Sequence, residues 1–192
     1  MRSWNTENMA QWGQQMEVLL ASIHEMIGKP ILVVANKLHH VLHLLLESGS
    51  FDIKLIHLVR GGRAVANSYI RRYNAFTGGV RLWTVTGILA PWFRNKLGPD
   101  KWLSVKYESL ATRPDESLKT ICRFLGLDFE PAMLRFSCRP YSGIGGSPGT
   151  FHKAEERIFL DSRWHEELSW KHRLAFALMS GWLNRLNGYG VL

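Results

Sequence analysis

Short apolar segments that alternate with helical patterns constrain the fold of this chain of 192 residues more than any other feature. "ILVVA" (31–35) and "KLIHLV" (54–59) are apolar runs of strand length with β-branched residues, and "KWLSVKY" (101–107) predicts a third strand. The segments between them carry apolar residues at the three- and four-residue spacing of amphipathic helices. Strands separated by helices predict βαβ units around a parallel sheet.

Helical patterns account for most of the remaining sequence. They predict helices over 5–27, 38–48, 61–73, 80–97, 115–125, 163–167 and 171–187, with a bend at Pro91 and a C-terminal cap at Gly126. Segment 139–150 is too rich in glycine, serine and proline for regular structure, and we expect a loop there. The sequence shows no internal repeat and no dividing linker, so it predicts one domain over residues 1–192, with a helical segment over 1–30.

The charge balance favours anionic partners. The chain has 24 Lys and Arg residues against 16 Asp and Glu residues, a formal net charge of +8. These cations are scattered along the sequence, whereas nucleic-acid-binding domains concentrate them on one face. We therefore expect a small anionic ligand and no nucleic acid, with a basic nucleic-acid-binding domain as the contrasting hypothesis.

Cysteine usage and hydropathy bear on the compartment. Cys122 and Cys138 are the two cysteines, and such sparse usage favours a reducing environment in which both are simply packed in the interior. The sequence contains no apolar run of about 18 residues or more, and its polar start lacks a signal-peptide core. The expectation is a cytoplasmic protein without a membrane partner.

The turn after the second predicted strand is the strongest candidate for a binding site. Ligands of parallel sheets bind beyond the carboxyl ends of the strands, and Arg60 lies at such an end. Gly61 and Gly62 would let an anion approach the N-H groups of the helix that follows. Ser68 lies eight residues after Arg60, close enough along the helix for both side chains to contact one phosphate. Alternatively, Arg60 and Ser68 are ordinary surface residues.

Three segments carry a resemblance to a known family. "LIHLVRGGRAVANSY" is similar to the segment with which sulfotransferases bind the 3'-phosphate of 3'-phosphoadenosine 5'-phosphosulfate (PAPS). "VKYESLATRPDESLKTICRFLGLDF" resembles a later segment of the same family, and "FLDSRWHEEL" with "GWLNRLNGYG" resembles the C-terminal part of bacterial and carbohydrate-type members. The resemblance covers residues 31–190. It implies a P-loop NTPase-like three-layer α/β sandwich with a parallel sheet.

The resemblance also implies roles for individual residues. Arg60 and Ser68 would hold the 3'-phosphate of PAPS, and Tyr107 would contact the adenine unless it is a packed aromatic residue. Lys153, in a late glycine-rich region, is the nearest match to the basic residues that cover the phosphate in related enzymes. That region does not have the spacing of a Walker A loop. Arg63 is also near the turn, although we expect it to be a surface charge.

Lys37 and His39 are the catalytic candidates that the resemblance implies. Sulfuryl transfer to a hydroxyl needs a base for the acceptor's proton and positive charge near the transferring group. His39 would supply the base and Lys37 the charge. His40 and His43 are alternatives, and all three histidines can equally be packed or surface residues. A zinc site built from these histidines is disfavoured because no cysteine or carboxylate is suitably spaced, so we expect no metal.

One family feature is absent from the sequence. Sulfotransferases carry a loop similar to G-x-P-[RK]-[ST]-G-[ST] that holds the 5'-phosphosulfate, and no such stretch occurs here. Two hypotheses follow: an N-terminally truncated PAPS-dependent sulfotransferase, or a non-catalytic protein that binds the nucleotide or a sulfated ligand.

The acceptor and the oligomeric state are left open by the sequence, beyond a small-molecule or carbohydrate acceptor with a hydroxyl or amine. Four aromatic residues either line an acceptor pocket or fill the core, and we expect the core: Phe76, Trp83, Trp92 and Tyr141.

Overall fold

The computed structural model describes residues 6–35, 39–135 and 160–190. The chain divides into two compact units, Met1–Ile53 and Lys54–Leu192. Lys37, Cys138, Tyr141 and Lys153 fall outside the described residues. None of the helices in the described ranges has the length and apolar character needed to cross a membrane.

The first unit contains two helices, α1 (Thr6–Ile27) and α2 (His39–Ser48), in its described residues. Their apolar faces pack together because the three- and four-residue spacing places the apolar side chains on one side of each helix. The buried residues of this small core are Leu20, Val41 and Leu45.

The strand predicted over 31–35 is wrong: these residues have no regular secondary structure. Val33 and Val34 are 80% and 46% exposed, although an apolar run predicts a strand buried on both faces. A β-branched run becomes a strand only where a neighbouring strand accepts its backbone hydrogen bonds. Within the described residues, the sheet contains two other strands and does not extend to this segment.

The second unit consists of two strands with helices between and after them. Its described elements are β1 (Leu55–Val59), α3 (Gly62–Tyr73), α4 (Phe76–Leu97), β2 (Trp102–Lys106), α5 (Tyr107–Thr112), α6 (Pro114–Leu125), α7 (Trp164–Glu167) and α8 (Trp170–Leu186), with 3₁₀ turns at Pro99–Lys101 and Pro131–Leu134.

The two strands pair in parallel, as the strand and helix alternation predicts. Leu55 pairs with Trp102 at the start of the ladder, and Val59 pairs with Lys106 at its end. The connection between the strands contains α3 and α4, which is the helical crossover that a parallel pair requires. The carboxyl ends of β1 and β2 therefore lie side by side.

Helices α3, α4 and α8 enclose the core of this unit. Its buried members are Ala66, Val80, Trp83, Phe176 and Leu183. The expectation that aromatic residues fill the core is confirmed for Trp83 and for Phe76, which packs against this cluster. It is wrong for Trp92, which is 46% exposed on α4.

Helix α4 begins at Phe76, four residues before the predicted start, and it continues through Pro91. Glycine has a low helix propensity, so the pair at 78 and 79 gives no local signal for a helix at this point. A side chain at Gly79 would place its Cβ 2.6 Å from Cβ of Tyr69, so this glycine permits the close packing of α3 and α4. The predicted cap of α6 at Gly126 is confirmed, since its φ of +76° is left-handed.

Cys122 of α6 is a free and buried thiol, as predicted from the small number of cysteines in the sequence. Its Sγ lies 3.7 Å from the sulfur of Met133, which closes the space between α6 and the second 3₁₀ turn.

Gly62, the first residue of α3, lies against the ring of Phe176 in α8. A Cβ at this position would be 2.3 Å from Cζ of Phe176. We expect Gly62→Ala to lower the free energy of unfolding by about 1–3 kcal/mol, because the buried ring must move. Urea denaturation followed by circular dichroism measures this change.

Gly78→Ala is the matched control for that variant. Its added Cβ would meet the Cβ of Ala75 at 3.6 Å, an ordinary contact. This variant should be as stable as the wild type or more stable, because alanine favours a helix. Equal stability of Gly62→Ala and Gly78→Ala would contradict the assigned contact with Phe176.

Candidate functional site

The candidate site lies at the carboxyl ends of β1 and β2. Arg60 directly follows β1, and Tyr107 directly follows β2. Because Val59 and Lys106 are register partners, the strand pairing brings these two residues together. The guanidinium carbon of Arg60 lies 4.5 Å from the ring centre of Tyr107, within the range of a cation–π interaction.

The guanidinium of Arg60 is also held by Asp161. Its Nη2 donates to the backbone oxygen of Asp161 at 2.8 Å and lies 3.2 Å from Oδ2 of the same residue. The backbone N-H of Asp161 donates to the hydroxyl oxygen of Tyr107 at 3.1 Å. In the part of the chain that the structure describes, Nε of Arg60 is buried and has no hydrogen-bond acceptor. Arg60 therefore retains an unsatisfied donor beside a bound carboxylate.

Asp161 lies between two arginines. Arg163 donates from Nε to Oδ1 at 2.7 Å and from Nη2 to Oδ2 at 2.9 Å, a bidentate arrangement. These bonds, with the bond and charge of Arg60, hold the pKa of the Asp161 carboxyl well below its usual range, although burial acts in the opposite direction. The carboxylate is charged at neutral pH and neutralises part of the positive charge of the site.

The peptide group between Arg60 and Gly61 is fixed on both sides. Its carbonyl oxygen accepts from Nε1 of Trp83 at 2.8 Å, and its N-H donates to Oε1 of Glu108 at 3.1 Å. The hydroxyl of Tyr189 donates to Oε2 of Glu108 at 2.6 Å. Burial and the neighbouring Glu108 raise the pKa of Tyr189, so this hydroxyl keeps its proton. The start of α3 is thus held by Trp83 of α4 and by Glu108, which is itself held by Tyr189 in the C-terminal segment 187–190.

The two glycine N-H groups do not form the open anion site that the sequence suggests. Gly61 donates to Glu108, and Gly62 donates to Oδ1 of Asn184 at 3.0 Å. The helix N-terminus therefore already has a carboxylate and an amide oxygen from this chain. Gly62 is required for the approach of Phe176 to α3, not for the approach of a ligand.

Ser68 is exposed on α3. It lies six residues after the first residue of the helix, a rise of about 9 Å. No hydrogen bond joins it to Arg60 among residues 6–35, 39–135 and 160–190. The structure thus brings Arg60 and Tyr107 into contact, whereas no hydrogen bond joins Ser68 to either of them in the described ranges. The shared phosphate contact stays a prediction.

The segment that contains Arg60 and Tyr107 is also the part of the chain that matches a known protein family. A sequence profile of the sulfotransferase family matches residues 40–131. The fold is similar to that of the sulfotransferase domain from the Synechococcus PCC 7002 olefin synthase, which is 28% identical with a TM-score of 0.65. The chain therefore has the fold of a sulfotransferase domain, and its residues 40–131 are similar to the sulfotransferase family. The match covers 80% of this chain and 55% of the olefin synthase domain, so the chain spans little more than half of that domain.

A second sulfotransferase structure shares the fold. The sulfotransferase domain from the curacin biosynthetic pathway is 20% identical, with a TM-score of 0.62, and the match covers 89% of this chain and 67% of that one. Both comparisons agree with the predicted sulfotransferase-type α/β fold.

The expectation that Arg63 is a surface charge is wrong. Arg63 lies within the segment 40–131 that matches the sulfotransferase profile, and it is 7% exposed. Its Nη2 donates to the backbone oxygen of Gly190 at 3.0 Å, and its guanidinium lies 4.6 Å from the ring centre of Trp164. Burial lowers the pKa of Arg63, and the nearby charge of Arg173 adds to the shift. Arg63 therefore connects α3 to the C-terminal segment.

His39 begins α2, in the first unit. Partial burial lowers its pKa, with a further contribution from His40, so the imidazole is neutral at pH 7 and can accept a proton. Nδ1 of His43 lies 3.7 Å from Oε1 of Glu47, one turn along the same helix. Among the described residues, no group of three or more His, Cys, Asp or Glu side chains is placed to hold a metal ion.

Sequence reasoning missed the partners that fix the turn between β1 and α3. Glu108 is adjacent to the predicted Tyr107, and its place in the Tyr-Glu pair was the available signal. Asp161 is 101 residues from Arg60, and Asn184 is 122 residues from Gly62. Neither has a local pattern that distinguishes it from other polar residues.

Asp161→Asn should reduce the free energy of unfolding at pH 7 by about 2 kcal/mol, since it weakens charge-assisted bonds to two arginines. The depressed pKa of Asp161 means that its carboxylate stabilises the fold above the pKa of the unfolded state, near 4. That contribution is lost as the pH falls below about 4. The difference in the free energy of unfolding between Asp161→Asn and the wild type, measured by urea denaturation, should thus be smaller at pH 3 than at pH 7.

Asp115→Asn is the control for this pH dependence. Asp115 pairs with Lys119 at 3.3 Å on the exposed face of α6, and exposed pairs contribute little. We expect a small effect of this variant at both pH values. A loss of unfolding free energy in Asp161→Asn that is the same at pH 7 and at pH 3 would contradict the role of the carboxylate.

Proposed function

We propose that this chain acts as a PAPS-dependent sulfotransferase that transfers a sulfuryl group to a hydroxyl or amine acceptor, with 3'-phosphoadenosine 5'-phosphate (PAP) as the other product. The observation that carries the proposal is Arg60, a cation at the carboxyl end of a parallel strand within the sulfotransferase-family segment. A site at this edge of the sheet is where parallel α/β folds bind ligands.

The described residues fit an anionic nucleotide in two respects. The side chain of Arg60 is 22% exposed, so part of it is open to solvent, whereas its Nε is buried. A guanidinium forms strong charge-assisted hydrogen bonds with phosphate oxygens. The exposed hydroxyl of Ser68 lies further along the helix that begins at this turn. Arg60 and Ser68 would hold the 3'-phosphate, and Tyr107 would contact the adenine.

Asp161 opposes this binding. Its carboxylate is already paired with Arg60, so an incoming phosphate must share the guanidinium with it or displace it. The second arginine, Arg163, lowers the cost of either arrangement because it also binds the carboxylate. The two guanidinium groups and the one carboxylate leave a net positive charge at this site, which favours an anionic ligand such as a phosphate monoester.

The catalytic part of the proposal rests on His39 and Lys37. PAPS supplies the sulfuryl group when it is bound. His39, whose lowered pKa keeps it neutral, would take the proton from the acceptor hydroxyl. Lys37 would stabilise negative charge near the transferring group, and Lys153 would bind the nucleotide. No metal is required in this scheme.

A non-catalytic nucleotide-binding protein is the second candidate. The observation that favours it is the absence of a G-x-P-[RK]-[ST]-G-[ST] stretch from this sequence. Incubation with ³⁵S-labelled PAPS and a set of hydroxyl and amine acceptors separates the two functions. Labelled product supports transfer, whereas PAP binding without labelled product supports the non-catalytic candidate.

Arg60→Ala should weaken PAP binding by about 100-fold or more, because it removes charge-assisted bonds to a phosphate. Isothermal titration calorimetry with PAP measures the loss. Arg81→Ala is the control, since Arg81 is an exposed arginine of α4 and its removal tests the effect of net charge alone. PAP affinity that is unchanged in Arg60→Ala would contradict the proposed site.

A further inference from the structure

The direction of the Arg60 side chain depends on the peptide group that follows it. This peptide is bonded to Trp83 through its oxygen and to Glu108 through its nitrogen. The guanidinium lies at the end of a long side chain, so a small rotation of the peptide moves the charge by about 1 Å, which is enough to weaken a positioned contact. The two bonds to this peptide therefore help to set where the charge lies, together with the direct contacts of the guanidinium with Asp161 and Tyr107.

The bond from Glu108 is in turn set by Tyr189. The carboxylate has two oxygens, one bonded to Gly61 and the other to the Tyr189 hydroxyl. Glu108 and Tyr189 are both partly buried, so the hydroxyl is the donor that fixes the rotation of the carboxylate. Val59, the last residue of β1, has its backbone oxygen 3.3 Å from the same hydroxyl.

Tyr189 is itself held in place by a set of backbone contacts. Its N-H donates to the backbone oxygen of Asn184 at 3.0 Å. The side chain of Asn184 donates to the backbone oxygen of Gly190 at 2.6 Å, and Arg63 donates to the same oxygen at 3.0 Å. Since Asn184 also accepts from Gly62, the end of α8 and the start of α3 are connected directly. The segment that carries Tyr189 is therefore fixed to the helix that follows Arg60.

We propose that Glu108 and Tyr189 are positioning residues that aim Arg60 at the 3'-phosphate and so set the preference for nucleotides that carry one. This inference rests on the proposed function. Neither residue needs to touch the nucleotide, because both act through the Arg60–Gly61 peptide. Their effect should therefore appear in the discrimination between PAP and 5'-AMP, which lacks the 3'-phosphate, and not in the binding of the adenosine part.

The test is calorimetric titration of the full chain with PAP and with 5'-AMP. In Tyr189→Phe, we expect PAP affinity to fall about 10-fold while 5'-AMP affinity changes less than about 2-fold, since one hydrogen bond to a charged group is lost. Ser180→Ala is the matched control. It removes a fully buried hydroxyl of α8, the helix that precedes Tyr189, and this hydroxyl is 2.6 Å from Oγ1 of Thr84. The variant should leave the ratio of the two affinities unchanged.

Two variants of Glu108 provide a test that does not depend on Tyr189→Phe being folded. Glu108→Gln keeps an oxygen that can accept from Gly61, whereas Glu108→Ala removes it. The preference for PAP should decrease in the order wild type, Glu108→Gln, Glu108→Ala. A positioning role predicts this graded recovery by glutamine, and a general loss of stability does not, because it would lower both affinities together.

The outcomes separate this inference from the proposed function. A wild type that prefers PAP, with a reduced preference in Tyr189→Phe or a graded loss in the Glu108 variants, supports the inference. A wild type that prefers PAP, with the same ratio in every folded variant, overturns the inference and leaves the proposed function standing. A wild type that binds both nucleotides equally overturns the proposed 3'-phosphate site and this inference with it.

Discussion

The contacts at the candidate site depend on the parallel hydrogen-bonded ladder between β1 and β2. Its final pair, Val59 and Lys106, fixes the two points at which the chain leaves the sheet. Arg60 and Tyr107 are the next residues, so the ladder places a cation and an aromatic ring side by side there. A shift of one residue in this register would turn the side chains of one strand to the opposite face and separate the pair.

Around this ladder, the chain satisfies the polar groups at the start of α3 with its own side chains. Glu108 and Asn184 accept from Gly61 and Gly62, and Trp83 donates to Arg60. Each acceptor comes from a different part of the second unit. Buried backbone groups require such partners, and here the requirement also fixes the turn that carries the candidate cation. Stability and the proposed binding role thus depend on the same bonds.

Much of the architecture was predictable because it follows from local patterns. Apolar spacing located α1, α2, α3, α6 and α8 to within a few residues, and the short apolar segments between the helical patterns located β1 and β2. The failures have physical reasons. Segment 31–35 has strand composition but no strand partner in the described residues. At the start of α4, Gly79 permits close packing against α3. A local sequence pattern does not reveal this long-range contact.

By itself, the sequence determined where the strands end, which residues follow them and that a sulfotransferase-like fold would place Arg60 at the carboxyl edge of a parallel sheet. Strand and helix periodicity is a local property, so one sequence is enough to read it. Only the tertiary structure decided that Asp161 would pair with Arg60, that Arg63 would be buried and that Glu108 and Tyr189 would hold the turn. These contacts join residues that are between 47 and 130 positions apart in the sequence. Which residues meet therefore depends on how the elements pack, and a local sequence pattern does not determine it.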